Sequence, residues 1–179
     1  MKNKTLTIPN ILTIFRLFLV PVFVLIYFYV DKTLALGVFL LASATDVLDG
    51  YLARKFNWIS DIGKVLDPLA DKSLRVTLVS VFFVDGVLPL WVLLIMVIFD
   101  LGLVLTSAVL FKKKYVVSSN IFGKVAEIFV VVSFVLCFFA NSVSPWHLYA
   151  VYLSLILILI SIVIYGLEVL KNYGKHREK

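Results

Sequence analysis

Thiols are nearly missing from this chain of 179 residues: Cys137 stands alone, inside an apolar run, and no Cys-x-x-Cys pair occurs. That excludes a disulfide framework and a thiolate metal site. Histidine is almost as scarce, since His147 and His176 are the only two and neither has metal-ligand company nearby. Charge is thin as well. Asp, Glu, Lys and Arg make up 16% of the chain, against about 25% in an ordinary soluble domain. Internal repeats and low-complexity segments are absent.

What remains is apolar. Hydrophobic residues reach 62% and the mean hydropathy is +1.06, where soluble domains hold about 45–50%. A soluble globule of this length has too little interior for that much apolar surface, so lipid is the expected solvent. The net charge of +6 could suggest nucleic acid, but in a membrane chain it reports cytoplasmic loops and anionic head groups. No nucleic-acid partner is therefore expected. The two lysines at the N-terminus precede an apolar stretch without a small-residue cleavage pattern, so no cleaved signal is expected either.

Six hydrophobic segments can be read: Pro9–Tyr29, Thr33–Arg54, Gly63–Val84, Leu88–Phe111, Ile121–Ala140 and Trp146–Leu170. Each has about the 20 residues needed to cross a bilayer as a helix. The breaks are polar or carry Gly or Pro, as at Val30-Asp31-Lys32, Asp85-Gly86 and Asn141-Ser142-Val143-Ser144-Pro145. The fold class expected is all-α, an integral membrane protein of six transmembrane helices, with residues 1–179 forming a single domain. Basic residues set the orientation. One set of connections carries Lys2, Lys4, Arg54, Lys55, Lys64, Lys112, Lys113, Lys114, Lys171, Lys175, Arg177 and Lys179, while the alternate set carries only Lys32. Both termini then face the cytoplasm.

Against this background four carboxylates gather in sequence: Asp46, Asp49, Asp67 and Asp71. An ionised Asp in a bilayer costs about 2.5–3.5 kcal/mol even on the lenient insertion scale, so the group needs compensating charge. Scattered basic residues could not fully supply it, whereas divalent cations could. Asp46 and Asp49 fall in the last turns of the second segment, three apart, and Asp67 and Asp71 in the first turns of the third, four apart. Each pair therefore shares a helix face on the cytoplasmic side. Two neighbouring antiparallel helices would bring all four together. Carboxylate oxygens suit hard ions, Mg²⁺ or Mn²⁺, and two such ions form the usual clamp for phosphoryl chemistry. Gly50, Ala53 and Gly63 leave room for a ligand against the backbone, and Arg54 can grip a phosphate with two parallel bonds. Pro68 reads either as the start of a helix or as a kink within one.

The pattern Asp46-x-x-Asp49-Gly50-x-x-Ala53-Arg54, then Gly63-x-x-x-Asp67-x-x-x-Asp71, resembles the signature of the CDP-alcohol phosphotransferase family at all eight positions. Pro9-Asn10-Ile11-Leu12-Thr13-Ile14-Phe15-Arg16 and Gly63 through Lys72 are similar to the phosphatidylglycerophosphate synthases of that family. Cardiolipin synthases share much of the pattern. The resemblance implies transfer of a phosphatidyl group from CDP-diacylglycerol to an alcohol, with release of CMP. Asp46, Asp49 and Asp67 would hold two divalent cations. Asp71 would take the proton of the acceptor hydroxyl while touching a metal, and Asp49, Gly50, Ala53, Arg54 and Gly63 would cradle the nucleotide. A homodimer in the cell membrane, with its active site facing the cytoplasm, is implied by the same likeness.

For glycerol 3-phosphate as acceptor, the expected phosphate-binding cation is Lys124, with Arg75, Lys72 and Arg16 as helpers. Relatives usually show Gly-Lys-x-x-Thr-x-x-Gln here, while Glu127 and Val130 occupy the last two of those positions in this chain. Phe99-Asp100 stands where relatives tend to show Arg-Glu or Arg-Asp. Phosphatidylglycerol or an inositol phosphate stays open as an alternative acceptor. From another class, a divalent-cation transporter also stays open, although transporters usually show repeated halves and acids at the bilayer midplane. Asp100 reads as a structural ion-pair member, with Arg75 a candidate partner.

Overall fold

A computed structural model of the chain describes residues 8–56, 63–112 and 121–175, all-helical apart from the turns that join the helices. In order these are α1 (Ile8–Tyr29), α2 (Lys32–Phe56), α3 (Gly63–Val84), α4 (Leu90–Lys112), α5 (Ile121–Phe138), the single turn α6 (Ala140–Val143) and α7 (Trp146–Lys175). The expected segments match these to within a few residues, with two differences. The fifth segment ends earlier and is followed by the separate turn α6, and the sixth continues to Lys175. The extension is physical: Glu168 and Lys171 end the apolar run without ending the helix, because both are good helix formers. Pro68 lies inside α3 rather than at its start.

Three helical stretches among the described residues are long and apolar enough to cross a membrane: Pro9–Tyr29, Lys32–Leu52 and Trp146–Ile164. A further apolar stretch, Leu90–Gly102, is shorter. Two compact units divide the chain, Met1–Leu93 and Leu94–Lys179.

In the first unit α1 packs along both α2 and α3, while among the described residues α2 and α3 share no comparable face. The direct approach expected at the Asp-motif ends lies largely outside the described residues, and among those residues the two helices are linked through a shared neighbour. The composition of α1 explains this, since it is apolar around its whole circumference and can bury two sides. Its buried apolar residues are Leu19, Phe23 and Tyr27, and the helices packed on it bury Ala35, Leu36, Phe39 and Ala42 of α2 and Leu74, Leu78 and Phe82 of α3. Tyr27 stands edge-on to Phe82, with ring centroids 6.1 Å apart. Among the described residues of this unit, the buried polar ones lie at one end: Asn10, Thr13 and Arg16 on α1, Thr45 and Asp49 on α2. Two of their hydroxyls turn back on their own helix, Thr13 Oγ1 donating to Pro9 O at 3.0 Å and Thr45 Oγ1 to Ala42 O at 2.7 Å.

The opposite end is closed by turn chemistry. Asp31 caps α2, its Oδ1 accepting from the backbone N–H of Thr33 at 2.8 Å and of Leu34 at 3.0 Å. Gly86 ends α3 with φ of 75°, and the N–H of Val87 reaches back to Phe82 O at 2.8 Å while that of Gly86 reaches Phe83 O at 3.0 Å. This is a Schellman ending, which needs the left-handed conformation glycine adopts without strain. Tyr27 Oη and Lys32 Nζ both donate to Asp85 Oδ2, at 2.8 and 2.5 Å, joining the ends of α1, α2 and α3.

The second unit is built on α5 packed against α7. Buried residues recur at matching intervals, Ala126, Val130, Ser133, Phe134 and Cys137 on α5, and His147, Val151, Ser154, Leu155 and Ile158 on α7. The helices approach closely near Gly123, where an added Cβ would stand 3.2 Å from Ser161 Oγ. Close approach through small residues is the usual basis of helix association in lipid. Ser133 Oγ donates to Val130 O at 2.8 Å and Ser154 Oγ to Val151 O at 2.7 Å, so each hydroxyl is satisfied by its own helix.

Candidate active site

The last turns of α2 carry Asp46 and Asp49 one helical turn apart, and the face they share is turned toward α1 by the packing of those two helices. Arg16, the only charged residue of α1, answers them. Its Nη1 donates to Asp46 Oδ1 and its Nη2 to Asp49 Oδ2. The Arg16 side chain is wholly buried, that of Asp49 is 5% exposed and that of Asp46 46% exposed. The pair is therefore anchored at Asp49 and opens to its surroundings at Asp46. Gly50, next to the anchor, is half-buried.

On α3, Asp71 has the reverse company. Lys72 Nζ lies 3.5 Å and Arg75 Nη2 3.9 Å from its Oδ2, and the carboxylate is 40% exposed. One guanidinium thus faces two carboxylates on α2, and two cations face one carboxylate on α3. Such an arrangement suits a cation at Asp46 and Asp49 and an anionic group near Lys72 and Arg75.

The structure brings Asp46 and Asp49 together, and it brings Asp71, Lys72 and Arg75 together. It does not gather Asp71 with the α2 pair into one tight cluster: among the described residues no three carboxylate, imidazole or thiol groups stand close enough to share a metal ion. Ala53 and Arg54 sit on α2, and Gly63 and Asp67 on α3; the surroundings of these four lie outside the described residues. Lys124 is exposed on α5, in the second unit, as is Glu127. Asp100 is buried on α4.

Arg16 is the residue whose place the sequence reading did not anticipate. It was expected beside an acceptor phosphate, with metal ions as the chief counter-charge to the aspartates. It instead supplies part of that counter-charge itself. The signal was available, since a lone arginine in an apolar helix must find a carboxylate, and Asp46 and Asp49 are the acids of the next helix.

The model of the CDP-alcohol phosphatidyltransferase family matches residues 6–165, which take in both clusters. The chain belongs to this family. Family membership and the long apolar helices together make it a membrane protein. It is 50% identical over 78 residues to a protein of Rickettsia typhi named CDP-diacylglycerol–glycerol-3-phosphate 3-phosphatidyltransferase, a stretch covering 41% of each chain. A protein of the same name from Bacillus subtilis is 30% identical over 133 residues, covering 66% of this chain and 69% of that one. A cardiolipin synthase and mitochondrial hydrolase fusion protein of Schizosaccharomyces pombe is 42% identical over 90 residues, covering 50% of this chain and 15% of that one. The match thus spans about two fifths of the Rickettsia relative and a smaller part of the yeast one.

Proposed function

We propose that this protein moves the phosphatidyl group of CDP-diacylglycerol to sn-glycerol 3-phosphate, giving phosphatidylglycerophosphate and CMP. The observation that carries the reading is the buried Arg16 clasp on Asp46 and Asp49, because those aspartates open the family's eight-position signature. The names of the Rickettsia and Bacillus relatives support the acceptor. The architecture that goes with it is one domain over residues 1–179, six spans, both termini in the cytoplasm and a site opening to the cytoplasmic face of the cell membrane. The basic residues of the connections support this orientation. Family likeness supports a homodimer.

The donor set fits a hard divalent ion. Asp46 and Asp49 offer oxygen ligands from one helix face, beside the Arg16 guanidinium. With Asp67 and Asp71 they would hold two Mg²⁺ or Mn²⁺ ions, whose chemistry is charge neutralisation and polarisation of the diphosphate. The rest falls to the chain. Gly50, Ala53, Arg54 and Gly63 hold the nucleotide, and Asp71 takes the hydroxyl proton of the acceptor. The acceptor oxygen then bonds to the phosphorus that carries the diacylglycerol, the bond from that phosphorus to CMP breaks, and CMP leaves with its electron pair. Lys72 and Arg75, beside Asp71, together with Lys124, suit the phosphate of the incoming alcohol. Acyl chains stay in lipid while the head group meets its water-borne partner.

Phosphatidylglycerol as acceptor is the second reading, supported by the yeast relative and by Glu127 and Val130. Purified protein in detergent, given labelled CDP-diacylglycerol and Mg²⁺ or Mn²⁺, separates the two. Metal-dependent CMP release with glycerol 3-phosphate is expected. Release that needs phosphatidylglycerol instead moves the assignment to the second reading, and no release with any alcohol overturns both.

A further inference from the structure

We infer that Arg16 is a positioning residue, which presets the directions of Asp46 and Asp49 for a divalent cation. The inference rests on the metal-dependent transfer proposed above. Its ground is the manner of the contact. Arg16 divides its two terminal nitrogens between carboxylates of different residues, Nη1 to Asp46 Oδ1 and Nη2 to Asp49 Oδ2, instead of gripping one carboxylate with parallel bonds. Its Nε, also buried, has no hydrogen-bond partner. A guanidinium seeking the most bonds would not settle there. Two acceptors one turn apart on α2 dictate the pose, and in return both rotamers are fixed from α1. Arg16 thus reaches from α1 across to both carboxylates of α2.

The division binds one oxygen of each carboxylate, so a single side chain orients both. A lysine cannot do the same. An ammonium is a point charge, and the planar fork is what lets two separated oxygens be held at fixed distance. This role differs from a grip on acceptor phosphate, and the difference can be measured. Partners that orient metal ligands alter metal affinity about 10- to 100-fold when removed.

The test is Mn²⁺ binding to the detergent-purified full chain, followed by electron paramagnetic resonance, for the unaltered protein, Arg16→Lys and Arg16→Gln. Both variants should bind Mn²⁺ at least about tenfold more weakly, and CMP release should fall in kcat with the KM for glycerol 3-phosphate unchanged. Arg16→Lys binding Mn²⁺ as tightly as the unaltered protein overturns the role of Arg16. A raised KM with Mn²⁺ affinity intact also overturns it, returning Arg16 to the acceptor. Absence of Mn²⁺ binding by the unaltered protein overturns the metal reading beneath it. Should neither variant purify as a single species, the unaltered metal-free protein decides through the side-chain nitrogen resonances of its arginines. A slowly rotating guanidinium assigned to Arg16 supports the clasp, and a freely rotating one refutes it.

Discussion

Asp85→Ala offers a test of the helix packing that does not depend on any assignment of function. Asp85 Oδ2 accepts from Tyr27 Oη at 2.8 Å and from Lys32 Nζ at 2.5 Å, so its removal strands two donors on two other helices. The Tyr27 side is the costlier. Tyr27 is 4% exposed, and leaving a hydroxyl in that position unsatisfied costs about 1–3 kcal/mol. The Lys32 pair, 46% and 24% exposed at its two ends, contributes about 0.2–1 kcal/mol at most after screening. Removing a negative charge from the C-terminal end of α3 returns about 0.3–1 kcal/mol. The net loss is then about 2 kcal/mol, or a fall of about 4–8 °C in the unfolding midpoint of a chain this long. Thermal unfolding in detergent should show that fall for Asp85→Ala and a smaller one for Asp85→Asn, which keeps an acceptor. Tyr27→Phe combined with Asp85→Ala should cost clearly less than the sum of the two. A midpoint within about 1 °C of the unaltered protein, or additivity within about 0.5 kcal/mol, would refute the proposed joint between α1 and α3.

The remaining expectations concern the site and the caps. Asp71→Asn should lower CMP release about 10²- to 10⁴-fold while the protein stays folded, since the side chain is 40% exposed; near-normal turnover removes Asp71 as the base. Lys124→Ala should raise the KM for glycerol 3-phosphate, and an unchanged KM argues against a grip on its phosphate. Asp31 has its carboxyl pKa held below the ordinary 3.8, first by the N–H of Leu34 and then by that of Thr33. Its stabilising effect is therefore complete above 3.8 and disappears as pH falls through the lowered folded value. Unfolding midpoints of the unaltered protein and Asp31→Asn, compared at descending pH, should converge in that acid range. A constant gap between them would show that the cap does not titrate with folding.

Helix positions were largely legible from apolar run length and polar punctuation. Gly63 and Val84 were read as the ends of α3, and Tyr29 as the end of α1, because a helix in lipid must satisfy its own backbone and can stop only where polar residues return. The continuation of α7 to Lys175 was not read, since its last turns lose apolarity without losing helix propensity. Packing partners were harder still. Lipid and helix interior are equally apolar, so a residue such as Phe18, which is exposed, reads like Phe23, which is buried. For that reason the sequence did not reveal that α1 lies against both α2 and α3. The aspartate motif itself stood out because charge is costly in this setting. The same argument applied to Arg16 would have paired it with Asp46 and Asp49, and the resemblance drew attention to phosphate binding instead.

Ser133 and Ser154 have a consequence for how the second half of the chain assembles. Because their hydroxyl protons are committed to the carbonyls of Val130 and Val151, neither donates a hydrogen bond between α5 and α7. The alignment of that hairpin must then come from contour, from bulk such as Phe134 meeting hollows and from the absence of a side chain at Gly123. A fit of contour carries no charge of its own, so the close approach at Gly123 is not itself weakened by salt.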